Sequence, residues 1–259
     1  MRDIETSETL KIEQAEVRLQ KFLREFERAL HSVYRKVLTG LERGDVAASD
    51  AAKLLGDLST QINKLVLAPE LAKLDPIYAR ELANVKKYFE AFGYKNVLTG
   101  ADAKFAETLI TFDVSAVKTR VLAGTDALKS AVMRSVISGG KPDLTDLIDS
   151  RTAGIVGNVE TELRTGLSGF QQSLINNKAG EVGLDLFIYL GPDDDITRPF
   201  CKDVLDANKV WTEEQINALD NEQGLDAFTY GGGYNCRHQW RPVSAEWAEE
   251  NGYTVENEA

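Results

Sequence analysis

Apolar residues recur near the start of the chain at Leu19, Leu23, Phe26, Leu30, Val33, Val37 and Leu41, spaced mostly by three and four. That spacing is the seam of one long amphipathic helix over about 5–43, and Gly44-Asp45 ends it. A second stripe, Leu54, Leu55, Leu58, Ile62, Leu65 and Val66, predicts a helix over about 47–67 that Pro69 closes. Asp75-Pro76 is a cap followed by proline at the first helical position, opening a helix with Tyr78, Leu82, Val85 and Phe89 on one face until Gly93. After the turn at Thr99 to Asp102, three short helices are predicted over about 103–111, 113–123 and 125–137, with Asp113 and Thr125 as caps. Gly139-Gly140-Lys141-Pro142 interrupts the pattern. A helix then starts at Asp143 or Thr145 and runs to about Asn177, with a break at Gly154 or Gly157.

Strand character is confined to the region after Gly183. Leu186-Phe187-Ile188-Tyr189-Leu190 reads as a buried strand, stopped by Gly191-Pro192 and three acids, Asp193, Asp194 and Asp195. A short helical pattern follows Cys201. Thr212 stands where a cap would, with Glu213, Glu214 and Gln215 in the first turn. After the loop at Gly231-Gly232-Gly233, Gln239 to Val243 alternates as a short strand that Pro242 confines to an edge or an end. The fold class expected is mainly α: an elongated helical N-terminal body over 1–142, a small α+β C-terminal module over 143–245, and an acidic tail over 246–259 that begins as a short helix.

Charge sharpens this division. Residues 186–259 hold 15 acidic against 5 basic side chains, whereas residues 1–185 hold 26 against 25. Direct DNA binding is disfavoured by this acidity, because non-specific binding to DNA needs a basic footprint. No apolar run approaches the roughly 18 residues of a membrane span, and the first residues lack the apolar core of a signal peptide. The protein is therefore expected to be made and kept in the cytosol unless something carries it out.

The only two cysteines, Cys201 and Cys236, and one of the two histidines, His238, fall within this same quarter of the chain. Thiolate, imidazole and carboxylate are all zinc ligands, so Cys201, Cys236 and His238 with an acid such as Asp194 form one candidate metal set. A Cys201–Cys236 disulfide is the alternative, and free buried thiols are the third. A Cys-His nucleophile would need a third, orienting residue, and none stands out. Arg198 and Arg237 beside the cysteines suit ion pairs with Asp193 to Asp195 that would tie the two motifs together. The glycine cluster lacks the lysine and the helix start of a phosphate cradle and reads as a flexible loop.

Taken in order, the strand ending in Tyr-x-Gly-x-x-Asp, then Thr197-Arg198-Pro199-Phe200-Cys201, an acidic helix, Gly233-Tyr234-Asn235-Cys236-Arg237-His238 and a closing x-Pro-Val strand resemble the Mu F-like domain of tailed-phage minor head proteins. The resemblance covers roughly residues 150–245, with Val159 to Thr165 matching the helix before the strand. Many family members carry Cys-x-x-Cys at the first site and His-Pro-x-Cys-Arg-Cys at the second. Here Arg198 replaces the first cysteine, Gly233 the histidine and His238 the last cysteine, so part of that ligand pattern stands. The resemblance implies a non-enzymatic virion protein, acting in head assembly near the portal and packaged for DNA ejection in some relatives. Its implied partners are portal or major capsid proteins, with self-association through the N-terminal helices. Fusion of such domains to toxins makes an enzymatic chain the rival, and a zinc-stabilised binding module is the third reading.

Overall fold

The seam read along the first helix is its buried face: Leu19, Leu23, Phe26, Leu30, Val33 and Val37 on α1 (Asp3–Leu38) are all removed from solvent, as is Leu41 just beyond it. The computed structural model describes residues 3–41, 47–138 and 143–255. The stop at Gly44-Asp45, the interruption at Gly139 to Pro142 and the last four residues of the tail lie outside the described residues. The chain is mainly α, and among the described residues the strands all follow Gly183.

Two compact units are present, and they interleave along the chain. One comprises Leu19–Ile77 and Thr111–Leu163; the other comprises Met1–Arg18, Tyr78–Ile110 and Arg164–Ala259. The first is wholly helical among its described residues. Here the region 47–74 is not one helix closed by Pro69: it runs through α2 (Ala48–Gly56), α3 (Leu58–Ile62), a π-helical turn (Asn63–Leu67), α4 (Ala68–Leu71) and a 3-10 turn (Ala72–Leu74). Pro69 sits in the first turn of α4. A proline removes one backbone donor and crowds the carbonyl four residues before it, and the wider π turn ahead of it accommodates both. α5 (Asp75–Ala91) follows directly.

The three short helices expected over 103–137 are a single helix, α6 (Gly100–Ile137). Thr125 is no cap. It is fully buried, its hydroxyl donates to the Val121 carbonyl at 2.8 Å, and it accepts from the Tyr34 hydroxyl at 2.7 Å. Burial pushes the Tyr34 phenol up to about 12. α7 (Leu144–Val182) likewise passes Gly154 and Gly157 without a break, held by the buried stripe Ile148, Ile155, Val159 and Leu163. A Cβ on Gly124 would fall 2.3 Å from Ile155 Cγ1, so a glycine is what lets α6 and α7 approach at that level.

The other unit takes the first turns of α1, most of α5, the start of α6 and the end of α7, and adds the sheet. Tyr78 meets Phe170 edge to face at 5.1 Å, and Lys178, buried on α7, pairs with Asp102 of α6 at 2.8 Å. The sheet is antiparallel in the order β2-β1-β3, with β1 (Leu186–Leu190) central, β2 (Trp211–Thr212) short and β3 (Gln239–Val243) at the other edge. Phe187 faces Pro242 and Tyr189 faces Trp240 across β1 and β3. Pro242 thus occupies an edge strand, where its missing N–H leaves no central ladder broken. α8 (Pro199–Asp206), α9 (Glu213–Asn217), α10 (Ala227–Tyr230) and α11 (Ala245–Glu250) are short. Thr212 and Gln215 close a full capping box at the start of α9. Ser244 caps α11 through the Trp247 N–H.

Candidate metal and thiol cluster

β1 ends at Leu190, and the next seven residues turn on Thr197. Its hydroxyl donates to the Pro192 carbonyl at 3.0 Å and accepts from the Asp194 N–H at 3.0 Å, which starts α8 in a defined direction. Pro199 then occupies the first helical position after an extended Arg198, placing Cys201 in the first turn with its side chain buried. From the other side, Gly231, Gly232 and Gly233 carry the chain past the sheet to Cys236 and His238, with Asn235 in the left-handed region at φ 58°.

The two segments are laced by arginines in both directions. Arg198 places one fork nitrogen on the Gly232 carbonyl at 2.8 Å and the other on the Tyr234 carbonyl at 2.6 Å. Arg237 reaches back to Asp194 in a bidentate pair at 2.7 and 2.6 Å. The expected arginine–aspartate tie therefore holds for Arg237 alone, and Arg198 binds backbone instead. This pairing sets Asp194 apart from the sulfurs: both its carboxylate oxygens are taken by Arg237, the guanidinium holds the carboxyl well below its usual range, and the donors that gather are Cys201, Cys236 and His238.

Inside the lacing, Cys201 Sγ and Cys236 Sγ are 3.7 Å apart, both free thiols. The Tyr189 hydroxyl lies 3.5 Å from each sulfur, and its ring stacks on His238 at 5.4 Å. His238 Nδ1 is 3.9 Å from Cys236 Sγ. The Gly232 N–H points at Cys236 Sγ from 3.2 Å and at the Tyr189 oxygen from 3.1 Å. A Cβ on Gly232 would fall 2.5 Å from Cys201 Sγ, so the glycine run is a requirement of close approach rather than slack. The hydrogen bond from Cys201, with help from His238 and Tyr189, holds the Cys236 thiol well below its ordinary range; the same bond and burial push Cys201 up.

Cys201, Cys236 and His238 offer one ligand atom each within 4.8 Å of one another, and all three are buried. Around a tetrahedral zinc ion with Zn–S bonds of about 2.3 Å, two sulfurs stand about 3.8 Å apart and a sulfur and an imidazole nitrogen about 3.6 Å. The sulfur pair already has that spacing at 3.7 Å, and Cys236 to His238 is slightly long at 3.9 Å. The three donors suit a Cys2His set once drawn slightly closer together, and a fourth position would face the pocket of about 360 Å³ that both sulfurs and His238 line. His238 Nε2 is buried without a hydrogen-bond partner, so among the described residues nothing orients the ring from its far side.

Tyr189, Gly232, Arg164 and Glu16 also belong to this site; from sequence Tyr189 falls in a strand, Gly232 in a loop and Arg164 in a helix, and none of the four takes a role beside the thiols. Arg164 on α7 pairs with Glu16 at 3.0 Å and reaches the Asn235 side chain at 3.2 Å. The signal for Tyr189 was present, a phenol inside an otherwise apolar strand, and its hydroxyl needed a buried partner. No protein-family model, curated protein or solved structure matches this chain.

Proposed function

We propose that this chain is a minor head protein of a tailed phage, working by docking rather than catalysis in head assembly near the portal. The observation that carries the reading is the meeting of Thr197–Cys201 and Gly233–His238, the two segments on which the Mu F-like resemblance rests, in one buried cluster joined by reciprocal arginine contacts. Exposed Phe112 (72%) and Ile137 (70%) on α6 supply apolar anchors of the kind helix docking uses. The expected partners are portal or major capsid proteins, and the expected location is the virion head. Quantitative mass spectrometry of purified particles should find the chain at fixed stoichiometry; particles lacking it would overturn the reading.

Within this reading the cluster braces the C-terminal unit, and zinc is the metal its donor set suits. When bound, zinc would supply a cross-link between α8 and the segment before β3, held by Cys201, Cys236 and His238. Metal analysis of freshly purified protein is expected to give one zinc per chain, lost in Cys236→Ser. That substitution should also lower stability by about 1–3 kcal/mol and reduce particle yield with it, since a buried cluster that loses a member leaves polar neighbours unpaired. A low-lying Cys236 thiol beside His238 is what an enzyme would also display. Loss of a hydrolytic or transfer activity in Cys236→Ser, with melting and assembly intact, would favour the enzyme.

A further inference from the structure

We infer that Cys201 and Cys236 are a modification site: a dithiol that a small peroxide closes to a disulfide inside the folded unit, giving the cluster a reversible open form and a covalently locked one. The inference rests on the reading of the cluster as the brace of this unit. It does not depend on which metal, if any, the reduced form holds.

Geometry carries it. The sulfurs are 3.7 Å apart, and a disulfide needs about 2.05 Å, so closure shortens the gap by less than about 2 Å. Both backbones are already pinned, because Arg198, three residues before Cys201, is bonded to the carbonyls of Gly232 and Tyr234 on either side of the turn before Cys236. A zinc ion held by the two sulfurs would have to leave before they close. The pocket of about 360 Å³ is lined by both of them and is large enough for a molecule such as hydrogen peroxide, a little larger than water. The charged and titratable groups facing that pocket are Glu16, Arg164, Arg198, Arg237 and His238.

The chemistry balances with peroxide as the oxidant. One sulfur attacks a peroxide oxygen, the O–O bond breaks, and a sulfenic acid and water result. The second sulfur then attacks the sulfenic sulfur, the S–O bond breaks, and the hydroxyl leaves as a second water with the remaining thiol proton. Two thiols are oxidised and one peroxide is reduced. Because the second sulfur is in contact with the first, condensation outruns further oxidation to sulfinic acid. The closed loop spans α8, β2, α9, α10 and the glycine run, so oxidation ties together the whole segment that the two motifs bracket. Disulfide sulfurs are no longer thiolate donors, so the locked form and a zinc-bound form exclude each other. Thiols stay reduced in a cytosol and meet oxidant outside it, which places the locked form after release from the cell.

The test treats the purified full chain with hydrogen peroxide, then unfolds it, adds N-ethylmaleimide and maps the peptides by mass. The expected result is a monomer lighter by two hydrogens, with loss of maleimide uptake at both cysteines, an unchanged circular dichroism spectrum and full recovery with dithiothreitol. In Cys201→Ser the reaction should stop at a sulfenic acid on Cys236 that dimedone captures. Cysteines that remain fully alkylatable, sulfinic or sulfonic acid in place of the disulfide, a bridge between two chains, or closure only after unfolding would each overturn the proposal. Zinc content of the same sample before treatment tests the zinc reading separately, because metal-free protein that still closes the bridge removes that reading and leaves this one standing.

Discussion

Glu8→Ala is expected to destabilise the unit that contains the sheet by about 3–5 kcal/mol, although Glu8 lies 233 residues from its partner in sequence. Arg241 on β3 is completely buried, and its Nε donates to the Glu8 carboxylate at 2.8 Å, with Glu8 itself only 2% exposed. The guanidinium's remaining donors go to the Trp240 carbonyl at 3.0 Å and to the Gln239 side chain, and the Tyr88 ring lies 5.8 Å away. None of these carries the opposite charge. Removing the carboxylate therefore strands a cation out of water, and a loss of this size is a large share of the roughly 5–15 kcal/mol that holds a typical domain together. Charge is the cause, so Glu8→Gln should recover only part of the loss. Pairing Glu8→Ala with Arg241→Met should recover most of it, because well-packed apolar replacements of buried ion pairs are often neutral. Urea unfolding followed by tryptophan fluorescence measures all three. A Glu8→Ala midpoint equal to that of the unchanged protein would show that water or another acid compensates Arg241.

That pair also marks how far the sequence could be read. The α1 seam was legible because its buried positions repeat at helical spacing, and the strand at Leu186 to Leu190 because five apolar residues end at Gly191-Pro192. Continuity was harder. Thr125 resembles a cap until Tyr34 is seen to need its hydroxyl in the interior, and Gly154 and Gly157 resemble breaks until the stripe on either side is seen to be buried. Propensity is a weak prior, and tertiary burial overrode it in both helices. In the site, the thiols and His238 stood out because they are scarce. Asp194 groups with the thiols in sequence because a carboxylate suits an arginine fork and a metal equally well, and its place beside Arg237 comes from the fold. Tyr189 and Gly232 read only as strand and loop, because a strand tyrosine and a loop glycine have ordinary local explanations, and their roles come from contacts to Cys236, 47 and 4 residues away in sequence.

Trp240→Ala is expected to have an effect as large as that of Glu8→Ala, about 3–5 kcal/mol, and to reach the thiol cluster as well as the core. Trp240, the second residue of β3, is fully buried, with ring centroids 4.5 Å from Tyr189 and 6.1 Å from Trp211. Its indole N–H donates to the Ala227 carbonyl at 2.8 Å, and its backbone N–H to Gln172 of α7 at 3.1 Å. Truncation leaves a cavity that the surrounding sheet cannot fill and takes the indole N–H from the Ala227 carbonyl, which keeps only the Gly231 N–H. It also removes the surface against which Tyr189 packs. Tyr189 holds its hydroxyl between the two sulfurs and its ring on His238, so a loosened phenol should open the cluster to solvent. Two readouts separate these effects: urea unfolding for the lost packing, and the rate of reaction of Cys201 and Cys236 with a disulfide reagent under native conditions for the opened cluster. Trp240→Phe keeps a ring against Tyr189 and loses only the hydrogen bond, so it should destabilise by about 1 kcal/mol and leave the thiols nearly as protected as before. If Trp240→Ala lowered the unfolding midpoint while the thiols reacted no faster, Tyr189 would be held by β1 alone and the coupling between core and cluster would be absent.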